Sequence, residues 1–216
     1  MQRTEEVTRS LRALFWSVLV AVFGYLLISA FEPLRLNWGA PWSDANVLTA
    51  LNYSSKYGFW KTSFTDVLDV GPLTSESYHY THYPPFAEIF YGTIRKIAGG
   101  KPLDITVYRL FAIGFAAIGM AAFYRYVRDV WGKGLAHWAT MLCATNLLWI
   151  QFADAMHQAP ILFASGMTAL AAIPHQISPA GGGKDGETDS RGPRVTSRLA
   201  LIAGTYVCFL TAYDYY

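Results

Sequence analysis

The chain has 216 residues, of which 53% are hydrophobic and only 15% charged. Soluble domains carry about 25% charged residues, so the composition argues against an ordinary water-soluble domain. A formal net charge of +2 is too small to point to nucleic acid as a partner. The aromatic share, 16%, suits a chain whose Trp and Tyr side chains sit at two membrane–water interfaces.

The first predicted element is residues 11–31, which carry no charge after Arg12. The run is long enough to span a bilayer. With Arg3, Arg9 and Arg12 before it, it reads as a signal anchor, and cleavage after Ser29 and Ala30 is the alternative. Residues 32–103 follow as a long segment of mixed character. Within it, 43–57 reads as a helix capped by Ser43 and stopped at Gly58. Val47, Leu48 and Leu51 fall on one face of that helix. A second helix opens after Pro84 and Pro85. Phe86, Ile89, Phe90, Ile94 and Ile97 share one sector of it, with Glu88 and Arg95 opposite, and Gly99 and Gly100 end it. It is short for a span and is expected to lie along the interface.

Four more apolar runs read as spans: 104–126, 133–152, 156–173 and 197–215. Between the last two, residues 178–196 are Gly-rich and charged, and are expected to be disordered. The expected fold class is therefore all-α integral membrane, a single domain with about five transmembrane helices. Two juxtamembrane amphipathic helices lie in the first outer loop. Basic residues decide the orientation. If the second juxtamembrane helix does not span, Arg125, Arg128, Lys133, Lys184, Arg191, Arg194 and Arg198 join the N-terminal arginines on the inside. The N-terminus is then cytoplasmic, in an inner, plasma or endoplasmic-reticulum membrane. The loop 32–103, the turn at 153–156 and Asp214 share the outer face.

That face holds the candidate chemistry. Asp44 is placed to accept a proton from an attacking hydroxyl, or to serve the N-terminus of its helix. His79, His82 and Tyr83 lie in a His- and Tyr-rich stretch before a helix N-terminus, where donors can hold a phosphate or a sugar; an aromatic belt is the plainer reading. Asp154, His157 and Gln158 form a polar cluster at the mouth between the third and fourth spans, and Asp214 lies near the end of the fifth. Ionisable groups at membrane depth are functional candidates. Arg109, about one turn inside the second span, needs a partner or must snorkel outward. It could serve a lipid phosphate. His137 and His175 read as structural, and Cys143 and Cys208 as buried thiols. The sequence requires no cofactor. A divalent metal stays an open option without support, since no acid or Cys stands at metal spacing beside the histidines.

These residues resemble the N-terminal part of the membrane-embedded glycosyltransferases of the type C fold, the group of the aminoarabinose transferases and protein O-mannosyltransferases. The likeness rests on Trp42, Ser43 and Asp44 after the first span, and on His82, Tyr83, Pro84, Pro85 and Phe86 opening the second juxtamembrane helix. It also rests on Arg109 and Leu110 early in the second span, and on the turn from Arg125, Tyr126, Val127 and Arg128 to Trp131, Gly132 and Lys133. The resemblance implies transfer of a sugar from a polyprenyl-phosphate lipid to an acceptor hydroxyl, with Asp44 as base. His79 and His82 would line the pocket, and basic residues would steady the leaving phosphate. Many relatives carry an acid where Gln158 stands, with Asp154 one turn earlier here. They also continue for several more helices, so a truncated chain or the N-terminal module of a longer enzyme is expected. The partners so implied are the bilayer, a lipid-linked sugar donor and other membrane subunits. A non-catalytic subunit that keeps the fold is the alternative. A transporter is disfavoured because the spans lack a chain of charged residues and show no broken-helix repeat.

Overall fold

The computed structural model describes residues 2–33, 41–62, 66–67, 72–75, 77, 79–80, 86–101, 103–156 and 158–173. The fifth expected span, the loop 178–196, and His82, Tyr83, His157, His175, Cys208 and Asp214 lie outside the described residues. Among those described, the fold is helical: α1 (Gln2–Ala30), α2 (Pro41–Tyr57), α3 (Phe86–Ile97), α4 (Ile105–Trp131), α5 (Lys133–Ala144), α6 (Leu147–Ala153) and α7 (Gln158–Ala172). Between α2 and α3, two-residue strands β1 (Asp66–Val67) and β2 (His79–Tyr80) pair antiparallel, Val67 opposite His79.

Among the described residues, two helices are long and apolar enough to cross a membrane: Arg9–Ala30 within α1, and Ile105–Trp131. At about 1.5 Å per residue they reach about 33 and 40 Å, more than the roughly 30 Å of a hydrocarbon core. Val20 and Ile28 on α1, Ile118 on α4 and Leu142 on α5 are exposed, as lipid-facing side chains would be. The remaining described runs are shorter. Gln158–Ala172 is apolar and covers only about 22 Å. Residues 133–152 form two helices rather than one. The break falls at Asn146, whose side chain accepts from the amides of Leu148 at 2.9 Å and Trp149 at 3.3 Å. A capping side chain that satisfies the free amides of a new helix competes with continuation of the old one.

Two apolar cores hold the helices together. Val47, Leu51, Tyr91, Tyr108, Met156 and Ile161 join α2, α3, α4 and α7. Leu26, Ala30, Ile113, Ala116 and Ala153 join α1, α4 and α6. Val47 and Leu51 are buried and Leu48 packs against them, as their shared helical face requires. Small residues let α4 and α7 approach closely. A Cβ on Gly119 would collide with the Phe163 ring and stand 3.0 Å from the Ala164 nitrogen.

Two local expectations are corrected. α2 opens at Pro41 rather than after Ser43, because proline's fixed φ suits the first helical position; Asp44 therefore lies in the first turn. On α3 the simple apolar sector fails. Ile97 is 82% exposed, while Glu88 and Arg95 are buried. The helix is pressed against α2, and Arg95 turns inward to donate to the Leu51 carbonyl at 3.4 Å, Asn52 Oδ1 at 3.0 Å and the Gly100 carbonyl at 3.2 Å. A guanidinium that satisfies helix-end and neighbouring carbonyls tolerates burial that an unpaired cation would not.

Candidate functional site

A polar cluster lies between the two cores, at the end of the bundle where α1 finishes and α4 begins. Arg109, in the second turn of α4, donates to Asp44 Oδ2 from Nε at 3.1 Å and from Nη2 at 3.0 Å. Its Nη1 donates to the carbonyls of Glu32 at 2.6 Å and Ser29 at 3.4 Å. α1 has no basic residue in its own last turn. Arg109 supplies that charge from a neighbouring helix, at the negative end of the α1 dipole.

Asp44 projects from the first turn of α2, where the helix dipole favours an anion. It is 3% exposed. Its other oxygen, Oδ1, accepts the Met156 amide at 2.6 Å. The carboxylate therefore ties α2 to α4 and to the turn before α7. Asp154, in the same turn, accepts the Ser29 hydroxyl at 2.6 Å, which ties that turn to α1. Burial pushes the Asp44 carboxyl above its ordinary range; the Met156 amide and Arg109 oppose this by favouring the ionised form. Asp154 is also raised, again by burial first, with Ser29 and Arg109 opposing. One guanidinium thus stands among two carboxylates, each with a raised proton affinity.

Four of the nine residues singled out in the sequence come to this end of the bundle. Asp44, Arg109 and Asp154 are joined as above, and Gln158 is buried at the start of α7. His79 is placed by its backbone in β2. His82, Tyr83, His157 and Asp214 lie outside the described residues. The sequence reading did not single out Ser29 as a partner, nor the Glu32 carbonyl or the Met156 amide. Ser29 carries a faint signal, a hydroxyl next to the end of an apolar run. The backbone groups carry none, because every residue has them. Among the described residues, no three His, Cys, Asp or Glu side chains converge as a metal site would need.

Tyr91, buried in the adjacent core, has a hydroxyl without a hydrogen-bond partner among the described residues. Its phenol is pushed well above its ordinary range by burial, and further by the charges of Asp44 and Glu88.

No family model matches the sequence, and no curated protein or solved structure matches it either. The class defined by the fold of the described residues is a helical protein with two helices able to cross a membrane and a buried Asp–Arg cluster at one end.

Proposed function

We propose that the chain is a type C glycosyltransferase, or the N-terminal module of one, with about five spans and a cytoplasmic N-terminus. One observation carries this reading. Asp44 and Arg109, the loop acid and the arginine on which the resemblance rests, are 65 positions apart and meet at 3.0 Å. The reaction would run at that end of the bundle. An acceptor hydroxyl attacks the anomeric carbon of a polyprenyl-phosphate sugar as the bond from that carbon to the phosphate oxygen breaks. The phosphate leaves with the electron pair, and the hydroxyl proton passes to Asp44. A lipid phosphate is a competing anion for Arg109. When it draws the guanidinium away, the Asp44 oxygen is released to act as base.

The alternative, a non-catalytic membrane subunit that keeps the fold, is favoured by a different observation. Both Asp44 oxygens are engaged and the residue is buried, as befits a carboxylate that locks helices together. Sugar transfer from a panel of radiolabelled polyprenyl-phosphate sugars, in membranes carrying the chain or its Asp44→Asn variant, separates the two readings. Transfer that the variant loses while still inserting supports the enzyme. Transfer equal in both sinks the role of Asp44, and no transfer from any donor points to a missing C-terminal part or to the subunit role.

A further inference from the structure

A second polar site lies at the opposite end of the same two helices. On α1, Arg12 is 17 residues before Ser29, and on α4, Arg128 is 19 residues after Arg109. At 1.5 Å per residue these separations are about 26 and 28 Å, close to the thickness of a hydrocarbon core. The second site therefore falls at the other membrane interface if the first lies at one.

There α1, α4 and α5 line a half-open cavity of about 500 Å³. Its walls divide by chemistry. Leu19, Phe23, Ala117 and Met120 make an apolar interior, while Arg12, Arg128 and Lys133 line it as cations. Arg128 donates from Nε to Asp129 Oδ1 at 2.7 Å, and Arg125 stands 3.8 Å from the same residue. Asp129 pairs with Arg125 and Arg128, and among the described residues that line the cavity the charged ones are the cations Arg12, Arg128 and Lys133. α5 begins at Lys133 behind Gly132, which offers no side-chain cap. A Cβ on Gly132 or Gly134 would meet nothing within 4 Å, so the amides of that helix start are approachable by an anion. A separate observation points inward. Thr140, 1% exposed, lines the cavity, and its buried hydroxyl oxygen has no hydrogen-bond partner among the described residues. Such a group is costly to bury unless something supplies a partner.

We propose that this cavity binds an anionic phospholipid. Its phosphate sits at Arg12, Arg128, Lys133 and the start of α5, and an acyl chain lies between α1 and α4. The apolar interior selects a lipid over a free phosphate, which would have no use for it. The excess of cations selects an anionic headgroup over a zwitterionic one. The site is independent of the Asp44 cluster and of the reaction proposed there.

The test is native mass spectrometry of the full chain released from detergent, with phosphatidylglycerol or phosphatidylcholine of the same acyl chains. Wild type is expected to retain phosphatidylglycerol preferentially, at one molecule per chain. At roughly fivefold per interfacial cation, the double variant Arg12→Gln with Lys133→Gln should bind it about thirtyfold more weakly. Phosphatidylcholine should be little changed. Ala117→Trp, which fills the interior, should lose both lipids. Equal retention of the two lipids by wild type would overturn the proposal, and needs no variant to fold. So would a preference that survives in a double variant of native helicity. Complete displacement of the lipid by millimolar glycerol phosphate would show a headgroup site without a chain site, and would also overturn it.

Discussion

The guanidinium of Arg109 donates twice to one oxygen of Asp44, at 3.1 and 3.0 Å, while its third nitrogen reaches the carbonyls at the end of α1. Both side chains are nearly inaccessible, at 10% and 4% exposure. Removing one partner strands a buried charge, which costs about 3 kcal/mol or more, whereas replacing both with apolar groups often costs little. Asp44→Leu and Arg109→Met are each expected to lower unfolding stability in mixed micelles by about that amount, and the double variant by much less. Additive losses would show that the two residues act separately.

Burial of its two carboxyls makes this cluster sensitive to pH. Asp44 and Asp154 both have raised folded-state pKa values. The folded state therefore binds their protons more tightly than the unfolded state. Stability is greatest below the ordinary carboxylate pKa of about 4 and falls as pH rises through the raised folded values. By this contribution the melting temperature is expected to fall between pH 4 and pH 8. Asp154→Asn, which cannot titrate, should shrink that difference, and an unchanged difference would remove Asp154 from the account.

Tyr91→Phe isolates one hydroxyl. The ring stays packed against Tyr108, with centroids 5.6 Å apart, and the only atom lost is a buried oxygen without a partner among the described residues. The variant is expected to be neutral or stabilised by about 1 kcal/mol. A loss of that size would reveal a partner for the oxygen.

Gly119→Ala tests the α4–α7 seam. The added methyl would meet the Phe163 ring and the Ala164 backbone, and backbone cannot step aside as a flexible side chain can. Overpacking of this kind costs about 2 kcal/mol. Gly114→Ala, on the same helix with nothing within 4 Å of the new carbon, is the control. It should be neutral or slightly stabilising, since alanine is the better helix former.

The proposed orientation can be read by labelling, with Cys143 and Cys208 replaced by alanine. A cysteine at Gly182 should be shielded from a membrane-impermeant reagent applied outside, and one at the exposed Lys101 should react. The reverse pattern would invert the topology.

The sequence by itself determined the helical class and, of its five expected spans, the first two, which among the described residues are single helices able to cross a membrane, because a long uncharged run leaves few other states for its backbone. It also marked Asp44, Arg109, Asp154 and Gln158, since ionisable or polar groups stand out in an apolar chain. Only the tertiary structure decided who meets whom. Asp44 could have served its own helix end, and Arg109 could have snorkelled to water. The packing of α2 across the starts of α4 and α7 brings them together instead. Helical periodicity also assigned Arg95 to a water-facing side, yet the carbonyls it reaches, on Leu51 and Gly100, belong to segments whose approach no local pattern encodes. A local pattern sees the spacing of side chains along one helix. The partners here are largely backbone groups, present at every residue and distinguished only by where the fold leaves them.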